Sequence, residues 1–179
     1  MFVLRKIKYK KGRKVQPSTL EYTGIHKDTP TEMQMFVYNA EEVIEFQQCE
    51  PHDLDTNIDD LKVNWINIHG LNNHAFIEKV GAKFNADHFI IGDILNTTKR
   101  TRVEEYHNIL FFNVKSLLPL KSSDNISVEQ ISFLLMDNVL ISFQEKRSDF
   151  FTHIRERIRT NSGVVRTKKA DYLLYLLLD

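Results

Sequence analysis

The pattern of apolar positions predicts short strands over much of the chain. Strands are predicted where apolar residues alternate with polar ones, or run together between turn-forming residues. The segments with this pattern are 19–25, 32–39, 62–69, 108–118, 129–136 and 139–144. Asp137 and Asn138 separate the last two runs, which predicts an antiparallel hairpin there.

Helices are predicted where apolar residues recur every three or four positions behind a capping residue. They comprise a short helix begun by Asn39, one capped by Asn72 or Asn73, a helix over 87–95, one capped by Ser148 with Arg155 mainly outward, and a last helix from Thr167. Segment 52–62 is rich in Asp and Asn but lacks the Gly and terminal Glu of an EF-hand, so it is predicted to be a polar surface loop.

Strands that alternate with helices, followed by a hairpin, favour an α/β fold with a mixed parallel and antiparallel sheet between helical layers. We expect one domain over 18–179, preceded by a basic and partly disordered tail over 1–17. The predicted core consists of Trp65, Ile66, Ile68, Leu110, Phe112, Ile131, Phe133, Leu135, Leu140 and Ile141.

Composition narrows the class of protein. The 24 Lys and Arg residues balance 24 Asp and Glu residues, which argues against a general nucleic-acid or membrane-surface binder. The single Cys49 excludes an intramolecular disulfide and favours a reducing compartment such as the cytoplasm. No apolar run is long enough to span a membrane, so the chain is expected to be soluble. The apolar run after Asp171 reaches almost to Asp179 without a helix-ending residue, which predicts that the helix continues further.

Motifs of common enzyme classes do not occur. The six glycines are dispersed, so no phosphate-binding loop is formed. The histidines never fall into a His-Glu-x-x-His arrangement, and Cys49 has no recognisable nucleophile context. We therefore expect no enzymatic activity and no catalytic residues.

A series of short motifs over 19–179 resembles the cytoplasmic N-terminal domain of CorA-type magnesium transporters. The matching motifs are Trp65-Ile66-Asn67-Ile68, Asp93-Ile94-Leu95-Asn96, Val103-Glu104, Gln144-Glu145, Ile154-Arg155-Glu156-Arg157-Ile158-Arg159 and Ala170-Asp171-Tyr172-Leu173-Leu174-Tyr175. Their shared order makes chance agreement improbable, although each motif alone is weak.

The resemblance implies a homopentamer on the cytoplasmic side of the inner membrane, with the last helix as the start of a long stalk that leads to two membrane spans. It also implies regulatory Mg²⁺, or another divalent cation such as Co²⁺, between neighbouring subunits. Asp93 and Asp179 match acidic metal-site positions of the family. Gly92 stands where the family often has Glu, which implies a weaker or incomplete second site.

Two alternatives stay open. One is a zinc, cobalt or nickel transporter of the same family, and the other is an oligomerisation module of the same fold that does not sense metal. If Asp93 were only an exposed carboxylate at a helix end, its role would be structural. In the isolated chain, Asp93→Ala is expected to change stability little, because the partner ligand would be missing. The isolated chain is expected to be monomeric or weakly associated.

Overall fold

The computed structural model describes residues 20–119, 126–148 and 150–179, so the predicted tail over 1–17 lies outside the described residues. A seven-stranded mixed sheet runs in the order β2-β1-β3-β7-β6-β5-β4. Its strands are β1 (Glu32–Tyr38), β2 (Val43–Phe46), β3 (Val63–His69), β4 (Arg102–Tyr106), β5 (Ile109–Pro119), β6 (Ile126–Leu135) and β7 (Val139–Gln144).

Five α-helices and two 3₁₀ turns in the described part of the chain cover the sheet. The helices are α1 (Leu54–Asn57), α2 (His74–Lys83), α3 (His88–Leu95), α4 (Thr152–Arg159) and α5 (Ala170–Leu178), and the 3₁₀ turns are Pro51–Asp53 and Val165–Thr167. Within the described residues, no helix is long and apolar enough to cross a membrane.

Strand β3 pairs antiparallel with β1 and parallel with β7, the central strand of the sheet. The other neighbouring pairs of the sheet are antiparallel. Gly70 ends β3 with φ +75°, in the left-handed region, and its backbone lies against the Pro30 carbonyl, where a side chain would collide. The α/β fold with a mixed sheet is confirmed.

Side chains of alternate positions enter two separate cores, because successive residues of a strand point to opposite faces. On one face, Ile66 and Phe143 pack under α2 and α3. On the other face, Trp65 and Phe133 pack under α4 and α5. The rings of Trp65 and Phe36 stack with centroids 5.3 Å apart.

Seven of the ten predicted core residues are buried, while Leu110, Phe112 and Leu135 are only half-buried. These three lie on one face of the β5–β6 pair. Their neighbours of opposite parity, Phe111 and Leu134, are fully buried on the face under α2 and α3. The prediction identified the strands correctly and chose the less covered face of this hairpin.

Two predicted elements near the start of the described chain were wrong. The described part of segment 19–25 is not a strand, although Tyr22 is buried there and Thr23 donates a backbone hydrogen bond to Leu95. The helix predicted after Asn39 is the β1–β2 hairpin. The Asn39 side chain accepts hydrogen bonds from the backbone N–H groups of Glu41 and Glu42, both at 2.9 Å, and so closes a turn.

Smaller differences concern helix ends and loops. The polar segment 52–62 contains the short helix α1, and β4 is a strand of its own that pairs with β5. Ser148 does not cap α4; it accepts a hydrogen bond from Gln144, and Phe151 is the cap residue. Arg155, predicted to face outward, is buried with its guanidinium carbon 5.9 Å from the Trp65 ring centroid.

Candidate functional site

Asp93 lies in the last turn of α3, a helix held at its start by Asp87. The Asp87 carboxylate accepts a hydrogen bond from the Ile90 backbone at 2.9 Å. Ile90 and Ile94 anchor the helix in the core, which fixes the direction of Asp93. Asp93 is 8% exposed, so the interpretation of this residue as an exposed helix-end carboxylate was wrong.

Two cations of the same chain bind the Asp93 carboxylate. Lys99 Nζ lies 2.9 Å from Oδ1, and the Arg102 guanidinium contacts Oδ2. Arg102 also binds Glu104, with 2.9 Å between NH1 and Oε1. This four-residue ion-pair cluster therefore contains two carboxylates and two cations, and its formal charges cancel.

Polar side chains below α3 hold its carboxyl end in place. Gln130 Nε2 donates to the backbone carbonyls of Asp93 and Ile94, at 3.3 and 3.2 Å. Lys115 Nζ donates to the Thr97 carbonyl at 2.6 Å and to Gln130 Oε1 at 2.9 Å. Burial lowers the pKa of Lys115 from its ordinary value. These contacts bind α3 to β5 and β6, so Asp93 sits on a rigid support.

Two further carboxylates lie along the same end of the sheet. Glu145 accepts hydrogen bonds from the Tyr22 hydroxyl at 2.6 Å and from the Gln130 backbone at 2.9 Å. Burial and the Glu145 carboxylate raise the pKa of Tyr22. Burial raises the pKa of Glu129 to about 7, and no described side chain donates a hydrogen bond to its oxygens. Residues Glu129 and Glu145 escaped the sequence-based site prediction because their burial depends on the register of strand pairing and on contacts with distant residues such as Tyr22.

Asp179 lies elsewhere. It is exposed at the end of α5, beside a cleft of about 370 Å³ that Phe150 and Leu177 help to line. Helices α3 and α5 pack against opposite faces of the sheet. Ligand bonds to Mg²⁺ measure about 2.0–2.1 Å, so Asp93 and Asp179 of one chain do not share an ion.

Gly92 leaves open space beside Asp93. A Cβ atom added at Gly92 would meet Leu20 Cδ2 at 3.7 Å, an ordinary contact distance, and φ is not in the left-handed region. Neither a close contact nor the backbone conformation therefore requires glycine at position 92. A residue with a Cβ atom is thus tolerated at position 92 without backbone strain.

The donor chemistry of Asp93 suits Mg²⁺, which prefers carboxylate oxygens and retains several waters. Both Asp93 oxygens already contact cations, so a metal ion would replace Lys99 or Arg102 at one of them. The described part of the chain contains no group of three or more His, Cys, Asp or Glu side chains that could hold a metal ion.

Sequence reasoning selected Asp93 through its motif, but not its two cationic partners. The available signal was the run of charged residues over 99–105, whose side chains can pair with each other within a loop. That pairing occurs between Arg102 and Glu104. The contacts with Asp93 join α3 to β4 and depend on how the hairpin folds back.

Comparisons with known proteins agree with this fold. A family model described as CorA-like Mg²⁺ transporter protein matches residues 60–179. The chain is 36% identical over 175 residues to the cobalt/magnesium transport protein CorA of Thermotoga maritima, covering 98% of this chain and 49% of that protein. The chain therefore spans about half the length of the curated relative it matches.

Two solved structures share the fold. The complete CorA magnesium transporter of Methanocaldococcus jannaschii aligns with a TM-score of 0.61 at 15% identity, covering 81% of this chain and 43% of that chain. The soluble domain of CorA from the same organism aligns with a TM-score of 0.58 at 16% identity, covering 81% and 54%.

Proposed function

This chain belongs to the family of CorA-like Mg²⁺ transporter proteins, a transporter family rather than an enzyme family, and we propose that it is the cytoplasmic regulatory domain of a membrane transporter. In this proposal the domain senses intracellular Mg²⁺ at the boundaries between subunits of a homopentamer on the inner membrane, and so gates transport. Family membership supports magnesium, with cobalt as the second candidate because the Thermotoga relative is named for both ions.

The observation that carries the proposal is the buried Asp93 carboxylate on its rigid support. It offers one carboxylate to an ion, and Asp179 belongs to the opposite face of the sheet. A site that uses both positions therefore combines different copies of the chain. Mg²⁺ commonly takes only one or two protein carboxylates, which suits a bond across a subunit boundary.

The ion-pair cluster explains how such a site responds to concentration. Without metal, Lys99 and Arg102 neutralise Asp93 within one subunit. With metal, Arg102 keeps Glu104 as its partner, and Lys99, whose side chain is 41% exposed, turns to solvent. The metal-bound and metal-free states then differ in their contacts across the subunit boundary. Because Mg²⁺ binds one of these states more tightly, it increases the population of that state.

The test uses the complete membrane protein and measures how Mg²⁺ protects it from limited proteolysis. Asp93→Ala and the closer isostere Asp93→Asn should both raise the Mg²⁺ concentration for half protection. Gly92→Glu adds a second carboxylate in open space and should lower it. An unchanged midpoint in both Asp93 variants would remove Asp93 from metal sensing.

The same experiment with Co²⁺ and Zn²⁺ addresses the alternative ions. Protection by Mg²⁺ at lower free concentration than by the other ions would favour the magnesium proposal. If no divalent cation changes the protection, the domain has the fold of the family without the sensing role, as in the oligomerisation alternative.

A further inference from the structure

A cleft of about 400 Å³ opens at the end of the sheet where β1 finishes and α5 begins. It lies away from Asp93, between the turn after β1, the loop before β3, the β6–β7 turn and the segment before α5. Side chains that matter for its chemistry are Tyr38, Lys62, Arg166, Lys168 and Lys169. The volume lies in the usual range of small-molecule sites, about 300–1,000 Å³.

Two residues that line this cleft, Tyr38 and Arg166, carry buried polar atoms without a hydrogen-bond partner among the described residues. Arg166 is 7% exposed; its Nε donates to the Asn39 carbonyl at 2.8 Å, while NH2 has no hydrogen-bond partner among the described residues. Tyr38 is fully buried, and its hydroxyl also has no partner there. Buried polar groups of proteins are normally paired, so two such groups in one cleft indicate a missing acceptor.

Because Arg166 is positively charged, an anion is the acceptor that suits it best. Arg166 forms no ion pair with a carboxylate of the described chain. Burial of a guanidinium without a counter-ion is unfavourable for folding. Its planar fork of N–H groups matches the oxygens of a phosphate group.

The rim of the cleft adds positive potential. Lys168 and Lys169 are exposed, and Lys168 has no ion pair within the described residues. Lys169 is the cap residue of α5, a nine-residue helix, and its side chain makes no capping hydrogen bond. The first-turn Asp171 carboxylate accepts a hydrogen bond from the Tyr172 backbone at 2.8 Å, so the N–H groups before Tyr172 are the ones left for a ligand. The first backbone N–H groups of a helix and its dipole favour an anion at that end.

Acidic side chains at the cleft weaken this potential only in part. Asp137 lies 3.8 Å from Lys169, but both side chains are highly exposed, so solvent screens the pair. Asp60 also lines the cleft. Lys62 is already bound by Glu42 at 2.7 Å and Asp59 at 3.1 Å, so Arg166, Lys168 and the start of α5 remain to bind a ligand.

We propose that this cleft binds a phosphate group, held by Arg166 and the Tyr38 hydroxyl at its base and by Lys168, Lys169 and the α5 N-terminus at its rim. The phosphate belongs either to free inorganic phosphate or to a nucleotide. The site is independent of Asp93 and of the proposed metal sensing, so either proposal stands if the other fails.

The test titrates inorganic phosphate into the protein, with chloride at equal ionic strength as the reference, and follows backbone amide signals of α5 by NMR. Selective shifts of the first-turn amides at millimolar phosphate are expected. The same titration with metal-free ATP identifies the source: similar affinity points to the free anion, and tighter binding points to a nucleotide. Both results support the phosphate site.

Variants test the residues. Arg166→Gln and the double variant Lys168→Gln/Lys169→Gln should each weaken binding about tenfold, because each removes charge-assisted contacts. The double variant changes only exposed side chains, so it remains informative if Arg166→Gln impairs folding. Lys27→Gln/Lys79→Gln removes the same charge from exposed positions outside the cleft and should leave affinity unchanged.

Three results with the wild type and the cleft variant would overturn the proposal. They are the absence of phosphate-specific shifts in the wild type, equal shifts with chloride, and unchanged affinity in the Lys168→Gln/Lys169→Gln variant. An equal loss of affinity in the Lys27→Gln/Lys79→Gln control would also overturn it, since the effect would then reflect net charge alone.

Discussion

The guanidinium of Arg159 binds the carboxylate of Glu45 through two parallel hydrogen bonds, 2.7 Å from Nε to Oε2 and 2.6 Å from NH2 to Oε1. The pair joins the edge strand β2 to α4, and its two residues are 114 positions apart in the chain. The Arg159 guanidinium also lies 5.5 Å from the centre of the Phe36 ring. One side chain therefore ties the edge of the sheet to the helix that covers it.

We expect Arg159→Lys to lower the free energy of unfolding by about 1 kcal/mol, because Lys keeps the charge but not the paired geometry. Urea unfolding at neutral pH measures this change. Arg157→Lys, on the same helix, is the matched control and should have little effect. Equal stability of Arg159→Lys and wild type would show that the paired geometry contributes nothing.

The same pair predicts acid sensitivity. The Arg159 hydrogen bond holds the pKa of Glu45 below its ordinary value of 4.5. A group with a lowered pKa stabilises the folded state above its ordinary pKa, and this contribution is lost as pH falls through the folded pKa. Glu45→Gln should therefore cost stability at pH 7, with a smaller difference from wild type below pH 4.5.

Glu129 should act in the opposite direction. Burial raises its pKa from 4.5 to about 7, so the folded state holds this proton more tightly than the unfolded state. Stability should then fall as pH rises from 4.5 to 7, with the full penalty above 7. Glu129→Gln should stabilise the protein at pH 8 by about 3 kcal/mol at most and change little at pH 4.

Thermal unfolding of Glu129→Gln between pH 4 and pH 8 tests this assignment. The exposed Glu41→Gln serves as the control for loss of one carboxylate and should show no comparable gain. A constant difference between Glu129→Gln and wild type across the whole pH range would contradict a raised pKa at Glu129.

Local sequence patterns correctly predicted the elements whose formation depends mainly on residues close together in the sequence. Strand β3 and helix α2, with Asn73 accepting a hydrogen bond from Phe76, are of this kind. The signal at Asn39 was ambiguous, because its side chain can accept N–H groups of a helix or of a tight turn. The antiparallel pairing of β2 with β1 favours the turn, and a local sequence pattern does not show which strands pair.

The candidate site divides in the same way. The motif around Asp93 identified one carboxylate, but its burial and its contacts with Lys99 and Arg102 depend on the fold. The buried Arg166 gave no local signal, because a Lys- and Arg-rich stretch before a helix usually stays in solvent. Asp179 was placed by the motif, and its metal role stays a prediction.

Self-association of the isolated chain should be weak. It spans about half of its Thermotoga relative, and we expect most subunit contacts to lie in the stalk and membrane spans that the family resemblance implies. Sedimentation velocity at micromolar concentration should give a monomer, with association only at higher concentration. A tight pentamer under these conditions would show that contacts between the cytoplasmic domains suffice for assembly.

The burial of Asp93 reverses the expectation that its removal leaves stability unchanged. Asp93→Ala leaves Lys99 and the partly buried Arg102 without a shared carboxylate, and only Glu104 remains for Arg102. We expect a loss of about 2 kcal/mol in the free energy of unfolding of the isolated chain. Chemical denaturation without divalent cations measures it, and stability equal to wild type would mean that the ion-pair cluster contributes nothing.

Removing Lys99 should make the proposed sensor more sensitive to magnesium, because Lys99 competes with the metal for Asp93 Oδ1. In the complete membrane protein, Lys99→Gln should lower the Mg²⁺ midpoint of protease protection about two- to fivefold, as expected for loss of a partly exposed ion pair. Arg100→Gln removes the same charge from an adjacent, exposed side chain and is the matched control. Equal shifts of the Mg²⁺ midpoint in the two variants would show that only the net charge of the loop matters. A higher midpoint in Lys99→Gln would mean that Lys99 supports the metal-bound state instead of competing with the metal.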